Sequence, residues 1–217
     1  MAWIYLNKPP GIRSVKALNI VKKKLNLKKA GIAGILDEFA GGLLPIATNE
    51  TTKSIDIYKD TILKQYIFTI QWGIKTNTGD YTGNIIEQNN PIITEKAIND
   101  IIPDCIGFIN QTPPIFSNIK INGVRAHQLA RQGIVVNMAS KTVFIKSLEL
   151  INHYNNHSTF KVTVGNGTYI RSLGEDLAKK LNTFGHLIYL YRSKIIINEQ
   201  EIIPTIDLNY FIELNQK

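Results

Sequence analysis

A chain of 217 residues with 44% hydrophobic residues can bury a sizeable core without disulfide or metal staples, as one large domain or two small ones. Its 25 Lys and Arg against 17 Asp and Glu leave a formal charge of +8, which favours a polyanionic partner, nucleic acid being the commonest. One cysteine excludes an intramolecular disulfide, and with no signal-peptide pattern and no apolar run near the ~20 residues that span a bilayer, a soluble cytoplasmic protein without a membrane partner is expected.

Along the chain, residues 2–7 read as a short strand ended by Pro9-Pro10-Gly11. Ser14 is the expected N-cap of a helix to about Asn26, with Val15, Leu18, Val21 and Leu25 on one face. Its other face carries Lys16, Lys22, Lys23 and Lys24, a run that a solvated surface explains, although it adjoins a glycine loop at 31–42. A strand follows at 43–48, a helix near 50–58, and an alternating strand in "KQYIFTIQWG". Residues 74–83 form a polar, turn-rich loop and 94–102 a helix. The stretch 111–126 is extended, with Asn122-Gly123 as a hairpin turn, and 125–133 is a helix closed by Gly133. Strands at 142–153 and 158–165, a helix at 169–182 and a strand at 186–197 complete the pattern. No repeat, low-complexity linker or boundary interrupts it, so one α+β domain on a largely antiparallel sheet is expected.

The chemistry-bearing candidates are few. Eight Lys and Arg precede the first acidic residue, Asp37, which stands among Gly31, Gly34, Gly41 and Gly42 in "GIAGILDEFAGG". Such an aspartate can be a turn former, a cation ligand, or a nucleophile or base presented where glycines let a substrate backbone approach. A lone carboxylate without acidic neighbours is a poor magnesium or calcium site. The loop lacks the Lys-Ser/Thr of a P-loop and the strand–GxGxxG–helix order. Cys105, in "CIGFI", reads as a small core residue, and the four histidines show no zinc spacing. Tyr66 beside Lys64, Tyr169 and Arg171 in "GTYIRSL", and Arg192 in "HLIYLYR" interleave aromatics with cations, as an unstacked base and its phosphates require. Packing explains the tyrosines equally well, and Arg171 can simply pair with Glu175 one turn away.

In order, these stretches resemble the TruB family of tRNA pseudouridine synthases, which convert uridine 55 of the T-loop to pseudouridine. The resemblance runs through "NKPPGIRS", "AGIAGILDEFAGGLLPIATNETTKS", "KQYIFTIQWGIKTNTGDYTGNI", "FINQTPPIFSNIKINGVRAHQLARQG", "VGNGTYIRSLGEDLAKKL" and "HLIYLYR", about residues 3 to 195. It implies the α+β pseudouridine synthase catalytic fold, a largely antiparallel mixed sheet flanked by helices and loops. By resemblance Asp37 is the catalytic aspartate, acting covalently at the anomeric carbon or removing a ribose proton. Tyr66 stacks on the target uracil, and Tyr169 and Leu190 line its pocket. Arg171 pairs with the aspartate and holds it ionised, and Lys8 supports the cleft. The uridine is flipped out to reach Asp37, with phosphates drawn by the lysines from Lys16 to Lys29. No metal or organic cofactor is implied, and the partner is the T-arm of tRNA, bound by a monomer.

The chain also departs from the family pattern. Ile32 stands where the family has a histidine, Glu38 where it has proline, and Gly41 where a small hydroxyl or acidic residue is usual. Tyr191 replaces the first arginine of Leu-Arg-Arg. A single catalytic domain over 1–217 is expected, with the C-terminal PUA-type RNA-binding domain absent or minimal. These departures leave a second reading open, a catalytically weakened tRNA-binding or tRNA-folding protein on the same scaffold. A DNA-binding regulator built on the basic helix is a third.

Overall fold

The computed structural model describes residues 3–56 and 62–213, which fall into two compact units, Met1–Ile67 with Tyr189–Lys217 and Phe68–Ile188. In the first unit, β1 (Trp3–Lys8) runs antiparallel to β3 (Gly41–Thr48), and β2 (Ala30–Ile32) joins the other edge of β3, also antiparallel. Tyr191 and Arg192 of β12 (Gly185–Ile197) lie parallel to Gly41 and Gly42. β13 (Gln200–Ile202) folds back on the end of β12, and β14 (Ile206–Asp207) lies parallel to β1. All eight residues of β3 are buried, as an apolar run covered on both faces should be. Leu43 packs with Ile62 and Ile195.

Helix α1 (Ser14–Lys24) corrects three expectations. Arg13, in extended conformation, is the N-cap, and Ser14 is the first helical residue, its hydroxyl engaged elsewhere. The buried stripe is Ser14, Ala17 and Val21, while Val15 and Leu25 are exposed, because packing selects the small-residue face. The helix stops two residues early. Asn26 adopts φ 47°, its N–H bonds Lys23 O at 3.3 Å, and Leu27 N–H bonds Lys22 O at 3.0 Å, a Schellman ending with asparagine in the glycine role. The same device at Asn182, φ 53°, ends a later helix at Lys180 where sequence spacing continued to 182.

Two further expectations change. The loop at 31–42 holds β2 at its start and the beginning of β3 at its end. In place of a helix over 50–58, residues Asn49–Ser54 form tight 3-10 turns; positions 57 and 58 lie outside the described residues. Thr51, Thr52 and Ser54 each donate a hydroxyl to the carbonyl three residues back, so hydroxyl groups satisfy this backbone in place of the α-helical ladder.

In the second unit the alternation of β4 (Ile62–Trp72) buries Phe68, Ile70 and Trp72. Phe68 stacks on Phe160 at 5.2 Å, and Trp72 meets that ring edge-on. Trp72 Nε1 donates to Ser158 Oγ at 2.8 Å, satisfying the indole inside the core. β5 (Ile74–Thr76) pairs with β6 (Ile85–Gln88), so the polar loop expected at 74–83 begins as a hairpin arm. Helix α2 (Glu95–Ile101) is capped by Thr94, whose side chain accepts from Ala97 N–H. β7 (Gly107–Gln111) pairs antiparallel with β10 (Lys141–Tyr154), which pairs antiparallel with β11 (His157–Val164). Between them, β8 (Lys120–Ile121) and β9 (Val124–Arg125) form the expected hairpin, with Asn122 and Gly123 both at positive φ. α3 (Ala126–Arg131) ends at Gly133, φ 73°. α4 (Ile170–Lys180) buries Ile170, Leu173, Leu177 and Ala178, and Cys105 is buried as expected. α5 (Leu208–Glu213), in the first unit, was not signalled by the sequence pattern. The result is an α+β fold with mixed sheet in the first unit and antiparallel hairpins in the second. No described helix is long and apolar enough to cross a membrane.

Candidate functional site

Asp37 is exposed, on a segment without regular structure between β2 and β3, yet the residues on both sides of it are fixed. Ser14 Oγ donates to Leu36 O at 2.8 Å and accepts from Leu36 N–H at 3.0 Å, so one buried hydroxyl clamps the residue before the aspartate. On the other side the Glu38 carbonyl accepts Gly11 N–H at 2.8 Å and Lys8 Nζ at 3.4 Å. The Ala40 amide bonds back to Asp37 O at 3.2 Å. The Pro-Pro-Gly turn and the start of α1 therefore serve as a mould for the loop. An exposed residue whose backbone is anchored at both neighbours is presented rather than packed.

Lys8 is fully buried, and Nζ also donates to Ile12 O at 2.7 Å and Pro9 O at 3.0 Å. Burial lowers its pKa to about 8; the Glu38 and Asp37 carboxylates pull it back up, and Arg192 pushes it further down. The ammonium is spent on three carbonyls of the turn and the loop.

Arg192 was legible in the sequence as a cation among aromatics at the end of a strand pattern, not as a support of the Asp37 loop. It is almost completely buried, with Nε on Leu43 O at 2.7 Å and Nη2 on Gly34 O at 2.8 Å. One guanidinium thus spans both ends of the Asp37 loop. Its Nη1 reaches Tyr66 Oη at 3.4 Å, and Cζ lies 6.0 Å from the Tyr66 ring centre. Tyr66 is itself buried at 7% exposure, and Leu190 at 5%. The close passage of β12 explains Gly42: at φ 100°, a Cβ there would lie 2.3 Å from Arg192 O. Ile32 is half-buried on β2, paired with Ile46.

Lys8, Asp37, Tyr66 and Leu190 belong to the first unit; Tyr169 and Arg171 belong to the second. Tyr169 is half-buried at the N-cap of α4. Its own side chain makes no cap, and Gln111 does so instead: Oε1 accepts Tyr169 N–H at 2.8 Å and Nε2 donates to Tyr169 O at 3.1 Å. Arg171 is buried, with Nη1 on Thr78 O at 2.8 Å and Nη2 on Phe116 O at 2.9 Å. Its Nε lies 3.9 Å from Asp80 Oδ2, and burial raises the pKa of Glu175, the carboxylate one turn along. Asp80 is buried and accepts from Thr78 Oγ1, Thr82 N–H and Thr82 Oγ1. Gln111 and Asp80 were missed in the sequence; the only available signal was the polar density of "KTNTGDYTG". Lys16, Lys22, Lys23, Lys28 and Lys29 are all exposed. Among the described residues no group of three or more His, Cys, Asp or Glu is placed to hold a metal ion.

Residues 22–170 match the family model described as TruB family pseudouridylate synthase (N terminal domain). The chain is 43% identical over 195 residues to the tRNA pseudouridine synthase B of Ehrlichia canis (strain Jake), covering 89% of this chain and 64% of that protein. It is 42% identical over 207 residues to the protein of that name from Ehrlichia ruminantium (strain Gardel), covering 94% and 70%. The chain therefore spans about two thirds of the length of these relatives. Among solved structures, a chain of a Cbf5-Nop10-Gar1 complex aligns with TM-score 0.68 and 26% identity over 88% of this chain and 47% of its own. A chain of an archaeal box H/ACA sRNP Nop10-Cbf5 complex shares the fold, with TM-score 0.69 at 22% identity over 97% and 52%.

Proposed function

The chain belongs to the TruB family of pseudouridylate synthases, and on that footing we propose that it isomerises uridine to pseudouridine at position 55 in the T-loop of tRNA. The observation that supports the reading is Asp37: matched by its motif to the family's aspartate, exposed, and clamped through Leu36 by the buried Ser14 hydroxyl and through Glu38 by buried Lys8 and the Gly11 amide. The reaction breaks the N1–C1′ glycosidic bond, turns the uracil and joins C5 to C1′. The proton lost from C5 and the proton gained at N1 balance, so no co-reactant is consumed. A carboxylate serves this by adding to the anomeric carbon, as in retaining glycosidases, or by removing a ribose proton.

Tyr66 stacks on the flipped uracil, and its contact with the base offsets an unstacking cost of a few kcal/mol. Tyr169, Leu190 and Arg171 serve the same nucleotide and carboxylate by residue-by-residue correspondence with the family, and Lys8 supports the loop. The T-arm is the bound element, drawn by the exposed lysines around α1, and the enzyme works as a cytoplasmic monomer. The test incubates the protein with unmodified tRNA transcript and maps pseudouridine. Product at position 55, lost in Asp37→Asn while tRNA affinity stays within about tenfold, supports the reading. Intact tRNA binding with no product at stoichiometric protein overturns it.

A further inference from the structure

Tyr191 reaches across a whole strand. β3 lies between β12 and β1, and neighbouring strands are about 4.8 Å apart, so β12 and β1 are separated by about 10 Å. Tyr191 Oη nevertheless donates to Asn7 Oδ1 at 3.0 Å, and Asn7 Nδ2 donates to Asp207 Oδ1 at 2.6 Å. Side chains of β12, β1 and β14 are thereby tied together over β3. The crossing point is Gly41, the Cα partner of Tyr191. A methyl group on Gly41 would lie 3.1 Å from Tyr191 Cδ2, 3.3 Å from Pro10 Cδ and 3.4 Å from Lys8 O. The ring therefore rests on bare backbone, and a side chain at 41 would have to push it aside. Tyr189 stacks beside it, ring centres 6.5 Å apart and planes within 10°, and Tyr191 itself is half-buried.

Gly41 is the point at which the Asp37 loop becomes β3. One residue earlier, the Ala40 amide bonds Asp37 O at 3.2 Å, so a shift at Gly41 passes through a single amide to the aspartate. One residue later, Gly42 is pressed against the Arg192 backbone. The Ser14 and Lys8 contacts hold the loop at Leu36 and Glu38, on the far side of this stem. The bond to Asn7 has a fixed direction. Asp207 takes the Asn7 amide NH2, which leaves Oδ1 turned to the tyrosine. Burial holds the Tyr191 hydroxyl above its ordinary pKa, with Tyr189 and Asp207 adding to the rise, so it stays a donor at neutral pH.

We propose that Tyr191 is a positioning residue for the isomerisation: its ring, anchored on Asn7, straps the stem of the Asp37 loop at Gly41 and holds the backbone of the aspartate in place. The strap rests on the reading of the chain as a pseudouridine synthase with Asp37 as its reactive carboxylate. It acts through Gly41 and the Ala40 amide. Its loss therefore loosens the aspartate after tRNA has bound, and falls on kcat rather than on affinity. Phenylalanine at 191 keeps the ring and loses the anchor, which makes the hydroxyl the part that can be tested alone.

The experiment compares the parent, Tyr191→Phe, Asn7→Leu and the double variant. It measures binding of unmodified tRNA transcript, kcat and KM for pseudouridine formation, and hydrogen exchange at the Ala40 amide. Tyr191→Phe is expected to lower kcat about tenfold and speed Ala40 exchange about tenfold, with tRNA affinity within about twofold of the parent. Asn7→Leu is expected to act in the same direction, and the double variant to be no slower than the slower single one, because both changes remove one bond. Unchanged kcat or unchanged Ala40 exchange in Tyr191→Phe overturns the strap. Losses that multiply in the double variant, or a fall in tRNA affinity that accounts for the whole loss, overturn it as well. A parent that binds tRNA but forms no pseudouridine defeats the proposed activity alone, and Ala40 exchange in the variants still decides the strap.

Discussion

Ser14→Ala isolates the clamp on the Asp37 loop. The substitution deletes one hydroxyl and strands two buried groups, the Leu36 carbonyl at 2.8 Å and the Leu36 amide at 3.0 Å. Each buried group left without a partner costs about 1–3 kcal/mol. Alanine recovers roughly 0.5 kcal/mol through its higher helix propensity. The net expectation is a loss of about 1.5–5.5 kcal/mol, a large share of a stability of about 5–15 kcal/mol. The loop can escape part of that loss by opening locally, which moves Asp37 from its presented position. A displacement of ~1 Å at a reacting group costs about a hundredfold in rate. Urea unfolding reads the global term, hydrogen exchange at the Leu36 amide reads the local one, and the initial rate of pseudouridine formation reads the consequence. Protection at Leu36 should fall, with kcat falling more than tRNA affinity. A variant within about 0.5 kcal/mol of the parent, with Leu36 still protected and turnover intact, would refute the clamp.

Gly42→Ala combines a left-handed φ of 100° with a Cβ 2.3 Å from Arg192 O, and should destabilise by about 3–5 kcal/mol in thermal or urea unfolding; parental stability would disprove the close approach. For Lys8 the folded pKa of about 8 lies below the unfolded 10.5. Between these values the unfolded chain holds more protons than the folded one, so this residue makes stability rise with pH across that window, with its full penalty present below about 8. The difference in unfolding free energy between the parent and Lys8→Met should grow by up to about 1.4 kcal/mol per pH unit inside the window, and a difference independent of pH would contradict the assignment. Ile32→His, at the half-buried β2 position where the family pattern has histidine, should leave pseudouridine formation unchanged or raise it. A collapse in activity would mean that the loop is built around isoleucine.

Much of the local structure was legible because it is local. The period-2 alternation of β4, the Asn122-Gly123 turn and the Gly133 helix stop each rest on chemistry within a few residues, and each appears within a residue or two of its expected place. The misplaced helix ends at 26 and 182 share one cause: asparagine in the left-handed conformation ends a helix as glycine does, and the spacing of apolar residues does not register it. The 3-10 turns at 49–54 show hydroxyl groups defeating a helical reading in the same local way.

The site divides along another line. Composition and order of motifs alone gave a basic chain with one delayed carboxylate, and the likeness of its motif series to a family gave that carboxylate a role. None of this could show why the carboxylate is held still. Ser14 reads as a helix cap, Arg192 as a cation among aromatics at a strand end and Gly42 as one more loop glycine. Each acts through a partner 22 or more residues away: Leu36 for Ser14, the two ends of the Asp37 loop for Arg192, and the Arg192 backbone for Gly42. A hydrogen bond to a distant backbone leaves no periodic trace in the chain that makes it. The sequence by itself therefore picked out the carboxylate proposed for the chemistry, while only the tertiary structure decided what clamps the loop that carries it.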